Sequence, residues 1–224
     1  MPPASPPHRL RADAARNRRS LLDAAREVFA EHGMEASVAE IAQRAGIGKG
    51  TVFRHFATKE CLAAAIVSDR LDELAATGRT LLDATDPGAA LLEFMTAGVE
   101  LQARDRAFCQ AATTSVRRDP AVRAASDRLS QAAESLTEQA RRQGAVRDDI
   151  TGQDVILLLG AACQAAAPLG DTAADLWRRY LYLIFDGMRP EGAHPLPRPA
   201  PARARFDQAV DPSGPDQEPS AERC

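Results

Sequence analysis

The residues best suited to a chemical role lie between Ser37 and Lys59, in SVAEIAQRAGIGKGTVFRHFATK. At about 100° per residue, Val52 and Phe56 fall on one side of a helix, which leaves glycine, threonine and arginine on the other side. Threonine can bond a phosphate or a base, and arginine offers a bidentate fork. Such a helix suits the major groove of DNA, with phosphates on both walls. The predicted DNA-contacting residues are Ser37, Lys49, Gly50, Thr51, Phe53, Arg54, His55 and Lys59.

Two short helices joined by a tight turn are predicted to position these side chains. Ser37 and Glu40 have the spacing of a capping box, so the first helix should begin there. Gly46 lets the chain turn where a side chain would be strained, and the second helix is predicted to run from Lys49 to about Phe56. A preceding helix from Asp13 to His32 should cover the pair with its apolar face. A helical hairpin with solvated charges is the alternative interpretation.

These motifs together resemble the DNA-binding domain of tetracycline-repressor (TetR) family transcriptional regulators. The resemblance covers Arg16 to Lys59 and rests on LLDAAREVFAEHG followed by SVAEIAQRAGIGKGTVFRHFATKECL. The rest of the chain is compatible with the family only in its helical layout. The resemblance implies a sequence-reading DNA-binding protein with a second, helical domain.

The resemblance also implies individual roles in DNA binding. Residues 49–51 match the start of the groove-entering helix, Phe53 and His55 match positions that contact phosphates or base edges, and Lys59 matches a phosphate clamp. Phe53 is a departure, because family members commonly have tyrosine there, whose hydroxyl bonds a phosphate. Phenylalanine can only pack against sugar or a thymine methyl group, which puts one backbone contact in doubt.

Positive charge is concentrated at the N-terminal end of the chain. Residues 1–60 hold ten Lys/Arg against seven Asp/Glu, a net +3, whereas the whole chain is −3. Residues 1–12 are predicted to be a disordered basic arm that follows the DNA backbone or enters a minor groove; a solvated leader is the alternative. Residues 189–224 hold eight prolines and are predicted to be a disordered tail.

The fold is predicted to be all-α, with residues 13–58 forming a three-helix DNA-binding domain. A long helix capped by Thr58 should lead into a ligand-binding and dimerisation domain over 59–188. Aspartate followed by proline marks two helix starts in that domain, and no alternating β pattern appears. Its further helices are predicted at about 87–103, 105–117, 120–143, 152–167 and 172–188.

The last two of these helices are predicted to form the interface of a homodimer. VILLLGAACQAAA and DLWRRYLYLIFDGM carry apolar residues on more than one face, and a helix apolar all round is buried on both sides. Two such helices from each chain would make a four-helix interface; a monomer with a large core is the alternative. Both runs are too short to span a membrane. The predicted interface residues are Leu158, Ala162, Trp177, Leu181, Ile184 and Phe185.

A small-molecule effector site is predicted where aromatic and sulfur-containing side chains occur beside isolated polar groups. The composition leans towards an apolar or aromatic effector, and simple core packing is the alternative for each residue. The candidate lining residues are Phe94, Met95, Phe108, Cys109, Gln110, Thr113 and Gln164.

No catalytic or metal-binding group of residues is predicted, and no cofactor is implied. Cysteines 61, 109, 163 and 224 form no C-x-x-C pair, so neither a zinc site nor a disulfide framework is indicated. The N-terminal stretch has no apolar run long enough for a signal peptide, so a cytoplasmic location is expected.

We therefore predict a cytoplasmic homodimeric transcriptional regulator that represses from a palindromic operator. An effector in the second domain would release the operator by changing the spacing of the two recognition helices. One alternative is a helical small-molecule-binding protein or enzyme in which Ser37–Lys59 is structural. Another is a DNA-binding protein that does not respond to ligands.

Overall fold

The computed structural model describes residues 7–104, 114–167, 173, 175–191 and 193–200. These ranges contain helices and no strand, which confirms the all-α prediction. The α-helices are α1 (Pro7–His32), α2 (Val38–Arg44), α3 (Lys49–His55), α4 (Lys59–Leu81), α5 (Pro87–Arg104), α6 (Thr114–Arg118), α7 (Pro120–Arg142), α8 (Gly152–Ala166) and α9 (Leu176–Gly187).

The chain divides into two compact units, and the division falls inside α4. The first unit ends at Ile66 and also includes α6; the second begins at Val67 and resumes at Pro120. The predicted domain boundary, between residues 58 and 59, lies eight residues before this division. Leu62 and Ile66, in the first two turns of α4, are buried, so these turns complete the core of the first unit.

The first helix begins earlier than Asp13, the start that the sequence predicts. α1 starts at Pro7, so residues 7–12 of the predicted disordered arm are helical, and residues 1–6 lie outside the described part. Proline is well tolerated in the first turn of a helix, because its missing N–H would have no intrahelical partner there. The alanines and arginines that follow it are strong helix formers.

The helix-turn-helix of the first unit forms as its capping residues predict. The Ser37 N–H donates to Glu40 Oε2 at 2.8 Å, and Ser37 Oγ accepts from the Glu40 N–H at 3.2 Å, which completes the capping box at the start of α2. Gly46 has φ +67°, in the left-handed region that favours glycine, and makes the turn towards α3. Phe56 is extended and ends α3.

A small apolar core holds these helices together. α2 packs against both α1 and α3. Apolar side chains of α1, α2 and α3 are buried together with Phe56, and α4 contributes two more. The core residues are Leu21, Leu22, Ala25, Val28, Phe29, Ile41, Val52, Phe56, Leu62 and Ile66.

The second unit is built around α8, which packs against α5, α7 and α9. Asp86 Oδ1 accepts from the Ala89 N–H at 2.9 Å at the start of α5, and Thr151 and Asp154 form a capping box at the start of α8. The last helix begins at Leu176 rather than at the predicted residue 172, since Ala173 is not helical. Most of the helix predicted over 105–117 lies outside the described residues, and α6 forms its end.

Residues 189–200 contain no helix where they are described, and the Arg147 guanidinium donates to the carbonyl of His194. The remainder of the predicted tail lies outside the described residues. None of the helices described is long and apolar enough to cross a membrane. Cys61, buried in the first turn of α4, is disulfide-bonded, so the expectation of no disulfide is wrong for this cysteine.

Candidate nucleic-acid interface

Helix α3 presents an exposed face of polar, basic and aromatic side chains. Val52 and Phe56 are buried and fix this short helix to the first core, as predicted. Gly50, Arg54 and His55 are exposed, and Thr51 is half-buried. Phe53 is 53% exposed, whereas Phe29 and Phe56 of the same unit are buried. Such a face offers hydrogen bonds and one apolar surface to a partner.

Arg54 is held along the helix that carries it. Its Nε donates to the carbonyl of Gly50, one turn earlier, at 3.2 Å, while the side chain remains exposed. The two terminal nitrogens are not used by this bond. The guanidinium therefore retains the paired donors that recognise the O6 and N7 atoms of guanine or two phosphate oxygens.

Lys59 and Ser37 have structural partners in addition to their predicted contacts with DNA. The Lys59 ammonium donates to the carbonyl of Met34, which ties the start of α4 to the 3-10 turn Gly33–Glu35. Lys59 is half-buried, and an ammonium retains two further donors beyond this bond. The Ser37 hydroxyl caps α2. DNA binding by either residue remains a prediction.

Ion pairs between α1 and α2 fix the helix-turn-helix to the first helix. Arg44 donates to Glu27 at 3.1 Å and to both carboxylate oxygens of Glu31 at 3.0 and 2.8 Å. These hydrogen bonds raise the pKa of Arg44 and lower the pKa of the Glu31 carboxyl. The bond from the Ser37 backbone likewise lowers the pKa of the Glu40 carboxyl. Local sequence patterns do not reveal the link from Arg44, because its partners lie 17 and 13 residues away.

The residues predicted to contact DNA are thus mostly brought together on one helix. Lys49, Gly50, Thr51, Phe53, Arg54 and His55 all lie on the seven residues of α3. Ser37 and Lys59 lie at the N-terminal ends of the neighbouring helices.

The predicted effector residues are not brought together in the described part of the chain. Phe94 and Met95 are fully buried in the core of the second unit. Gln164 is exposed on α8, while its neighbour Cys163 faces that core, so Gln164 does not join Phe94 in a common pocket. Phe108, Cys109, Gln110 and Thr113 lie outside the described residues.

A surface cleft of about 650 Å³ opens in the second unit, between the middle of α7 and the start of α8. No predicted effector residue lines it. Arg128, one of its walls, forms a bidentate ion pair with Asp72 at 2.7 and 2.9 Å. The residues that line the cleft all have polar or charged side chains: Asp127, Arg128, Ser130, Gln131, Glu134 and Gln153.

Four of the six predicted dimer residues have side chains that are buried within their own chain. Ala162 of α8 and Trp177, Leu181 and Phe185 of α9 lie in the core of the second unit, so they have almost no surface to offer a partner. Leu158 and Ile184 are half-buried at its edge.

The apolar surface that α8 and α9 do expose consists of other residues. Leu157 is 42% exposed, and Tyr182 and Leu183 are 54% and 56% exposed. Ala161 and Ala165 follow Leu157 at intervals of four residues and are exposed as well. Period counting on α8 and α9 finds two apolar faces but cannot tell which one meets the chain's own core.

Comparison with known proteins assigns both units to one family. A family model described as bacterial regulatory proteins, tetR family, matches residues 21–66. A second model, described as the C-terminal domain of SbtR-like transcriptional regulators, matches residues 86–190. The resemblance found in the sequence is thereby confirmed and extended to the second unit.

Individual relatives agree with these models. The solved structure of a TetR transcription regulatory protein from Mycobacterium vanbaalenii is 35% identical, with a TM-score of 0.61, and the match covers 80% of this chain and 99% of that one. The HTH-type transcriptional repressor Rv1474c of Mycobacterium tuberculosis is 27% identical over 188 residues, 78% of this chain and 81% of the repressor. The A-factor receptor protein of Streptomyces griseus is 43% identical over only 60 residues, 26% of this chain and 22% of the receptor.

Proposed function

The chain belongs to the TetR family of transcriptional regulators, and from this premise we propose that it is a ligand-responsive repressor that binds a palindromic operator as a homodimer. The observation that carries the proposal is the exposed face of α3, which combines hydrogen-bond donors with the ring of Phe53. The buried side chains of Val52 and Phe56 fix this helix to the core of the first unit. A helix of this kind enters the major groove, where base edges can be distinguished.

Base contacts are assigned to Thr51 and Arg54, and phosphate contacts to Lys49 and Lys59. The two lysines bracket α3, so their ammonium groups can hold phosphates on either side of the groove. Phe53 packs against a thymine methyl group or a sugar, because it has no hydroxyl for a phosphate.

Dimerisation is assigned to the exposed apolar surface of α8 and α9. Leu157 and Leu183 are the side chains with most to gain from a partner, and Ala161 and Ala165 permit a close approach of helices. A twofold dimer presents two copies of α3, which suits half-sites related by inverted symmetry and about one DNA turn apart.

The effector is assigned to the second unit, with α4 as the continuous element that leads from there to the first. Of the candidate lining residues, Phe94 and Met95 belong to that unit. Because Phe94 and Met95 are already fully buried, an effector that reaches them must displace core side chains.

Selection of genomic DNA by the purified protein tests this function. Bound fragments are sequenced, and the enriched motif is examined for two inverted half-sites; the variant Lys49→Ala/Thr51→Ala is carried through the same selection. We expect the wild type to enrich an inverted repeat that the variant fails to enrich. We also expect one class of metabolite to release the wild-type protein from that DNA. Enrichment without a common motif would refute the proposal, and an operator that no metabolite releases would refute its ligand-responsive part.

A further inference from the structure

The N-terminal half of α1 carries basic residues that the proposed operator contacts do not use. Residues 7–19 hold five arginines against one aspartate, a net +4 in a chain whose net charge is −3. The arginines are Arg9, Arg11, Arg16, Arg18 and Arg19.

This basic segment is a helical extension of the first unit. α1 is continuous from Pro7 to His32. Among its residues from Arg18 onwards, Arg18 and Arg19 are exposed and Leu21 is the first that is buried. At 1.5 Å per residue, the helical stretch from Pro7 to Arg19 is about 20 Å long. The helix fixes the spacing of charges that a disordered arm would leave variable.

The extension starts beside the end of the recognition helix. The Arg18 guanidinium carbon lies 5.6 Å from the ring centroid of Phe56, the residue that ends α3. Arg11 precedes Arg18 by seven residues, close to two helical turns, so the two share a face of α1. Positive charge therefore continues from the edge of the α3 surface along α1.

We propose that residues 7–19 of α1 form a second DNA contact, a basic helical arm that binds backbone phosphates of the duplex beside the half-site that α3 reads. The inference rests on the proposed function. The helical state also decides which part of the duplex the arm meets. An α-helix with its side chains is about 10–12 Å across, whereas the minor groove is about 6 Å wide, so the arm lies on the phosphates and does not enter that groove.

Charge substitution in the full-length chain tests the arm. We compare Arg9→Gln/Arg11→Gln with a matched control, Arg142→Gln/Arg189→Gln, which removes two exposed arginines from the second unit. Glutamine keeps the helix propensity close to that of arginine. Affinity for the operator duplex and for a random duplex is measured at several salt concentrations.

The arm variant should bind both duplexes more weakly and leave their affinity ratio unchanged. The slope of log K against log salt should fall by about 0.9 for each phosphate that the variant no longer neutralises, or about two units per protomer, while the control keeps the wild-type slope. Shortening the operator to the base pairs under the two α3 helices should reduce the slope of the wild type and leave that of the arm variant unchanged.

The proposal would be overturned if the arm variant kept the wild-type slope and affinity. It would also be overturned if the control variant lost as much slope and affinity as the arm variant. The variant Lys49→Ala/Thr51→Ala, measured in parallel, separates the two levels of inference. If Lys49→Ala/Thr51→Ala loses the operator preference while the arm variant binds DNA like the wild type, the arm alone is refuted. An absence of operator preference in the wild-type protein would refute the proposed function.

Discussion

At the scale of single residues, the two lysines of the chain have different surroundings, although the sequence suggests equivalent roles. Lys49 is exposed on α3, whereas Lys59 is half-buried and donates to the carbonyl of Met34. A lysine in the first turn of a helix is electrostatically unfavourable, because the helix dipole places positive charge at that end. The bond to Met34 offsets this unfavourable position of Lys59, and a phosphate of bound DNA is predicted to offset it further.

Substitution of the two lysines should separate stability from DNA binding. Lys59→Met keeps the aliphatic stem but removes the bond to Met34, so it should lower the free energy of unfolding by about 1 kcal/mol. It should also reduce the salt slope of DNA binding by about one unit per protomer. Lys49→Met is the control, which should lower the slope alone. Urea unfolding and fluorescence anisotropy measure the two effects, and unchanged stability in Lys59→Met would contradict the structural role.

At the scale of elements, the capping box at the start of α2 makes the stability of the first unit depend on pH. The Ser37 N–H lowers the pKa of the Glu40 carboxyl in the folded state. A depressed folded-state pKa means that the carboxylate stabilises the fold above the unfolded value of about 4.3, and that this stabilisation is lost as pH falls through the folded value.

The variant Glu40→Gln should test that dependence, since glutamine can still accept the bond from Ser37 but does not titrate. The wild type should be the more stable protein at neutral pH, and the difference in urea midpoint should shrink below about pH 4. Midpoint curves that run parallel from pH 7 to pH 3 would mean that the Glu40 charge does not contribute.

The junction of α7 and α8 depends on a glycine at a close approach of two backbones. A Cβ at Gly152 would lie 2.4 Å from the backbone nitrogen of Glu134, so Gly152→Ala must push the helices apart. We expect a loss of about 1–3 kcal/mol in the free energy of unfolding. Gly160→Ala on the same helix meets nothing within 4 Å and should be neutral or stabilising by up to about 1 kcal/mol. Equal effects in thermal unfolding would contradict the close approach.

Sequence patterns predicted the elements of the first unit better than they predicted the role of each helix face in the second. The Ser37–Glu40 box and Gly46 act over three or four residues, so the sequence alone contains the information. The face of α8 and α9 that meets their own core depends on helices far along the chain. For this reason the apolar pattern favours an interface role for Leu181, although that side chain is fully buried.

At the scale of the whole molecule, the proposed dimer depends on a narrow apolar surface rather than on the core residues. Leu183→Arg should convert the dimer into a monomer that remains folded, because the side chain is exposed within one chain. Leu181→Arg should instead prevent folding, since it buries an unpaired charge. Leu196→Arg is the control, because Leu196 is an exposed leucine that is not part of α8 or α9, so the variant should leave the dimer intact.

For these three variants, light scattering measures whether the protein is a dimer and circular dichroism measures whether it is folded. A Leu183→Arg protein that keeps its wild-type mass would move the interface away from α9. A monomeric wild-type chain would contradict dimerisation itself and leave the exposed leucines without a partner.

The central claim is that the exposed face of α3 reads base sequence. Its most direct test is the ratio of affinities for an operator duplex and a scrambled duplex of equal length at one salt concentration, in the wild type and in Thr51→Ala. We predict a ratio of about 10³ or more for the wild type, which falls in the variant while affinity for the scrambled duplex stays nearly constant. Equal affinity of the wild type for both duplexes, or a ratio unchanged by Thr51→Ala, would contradict the claim.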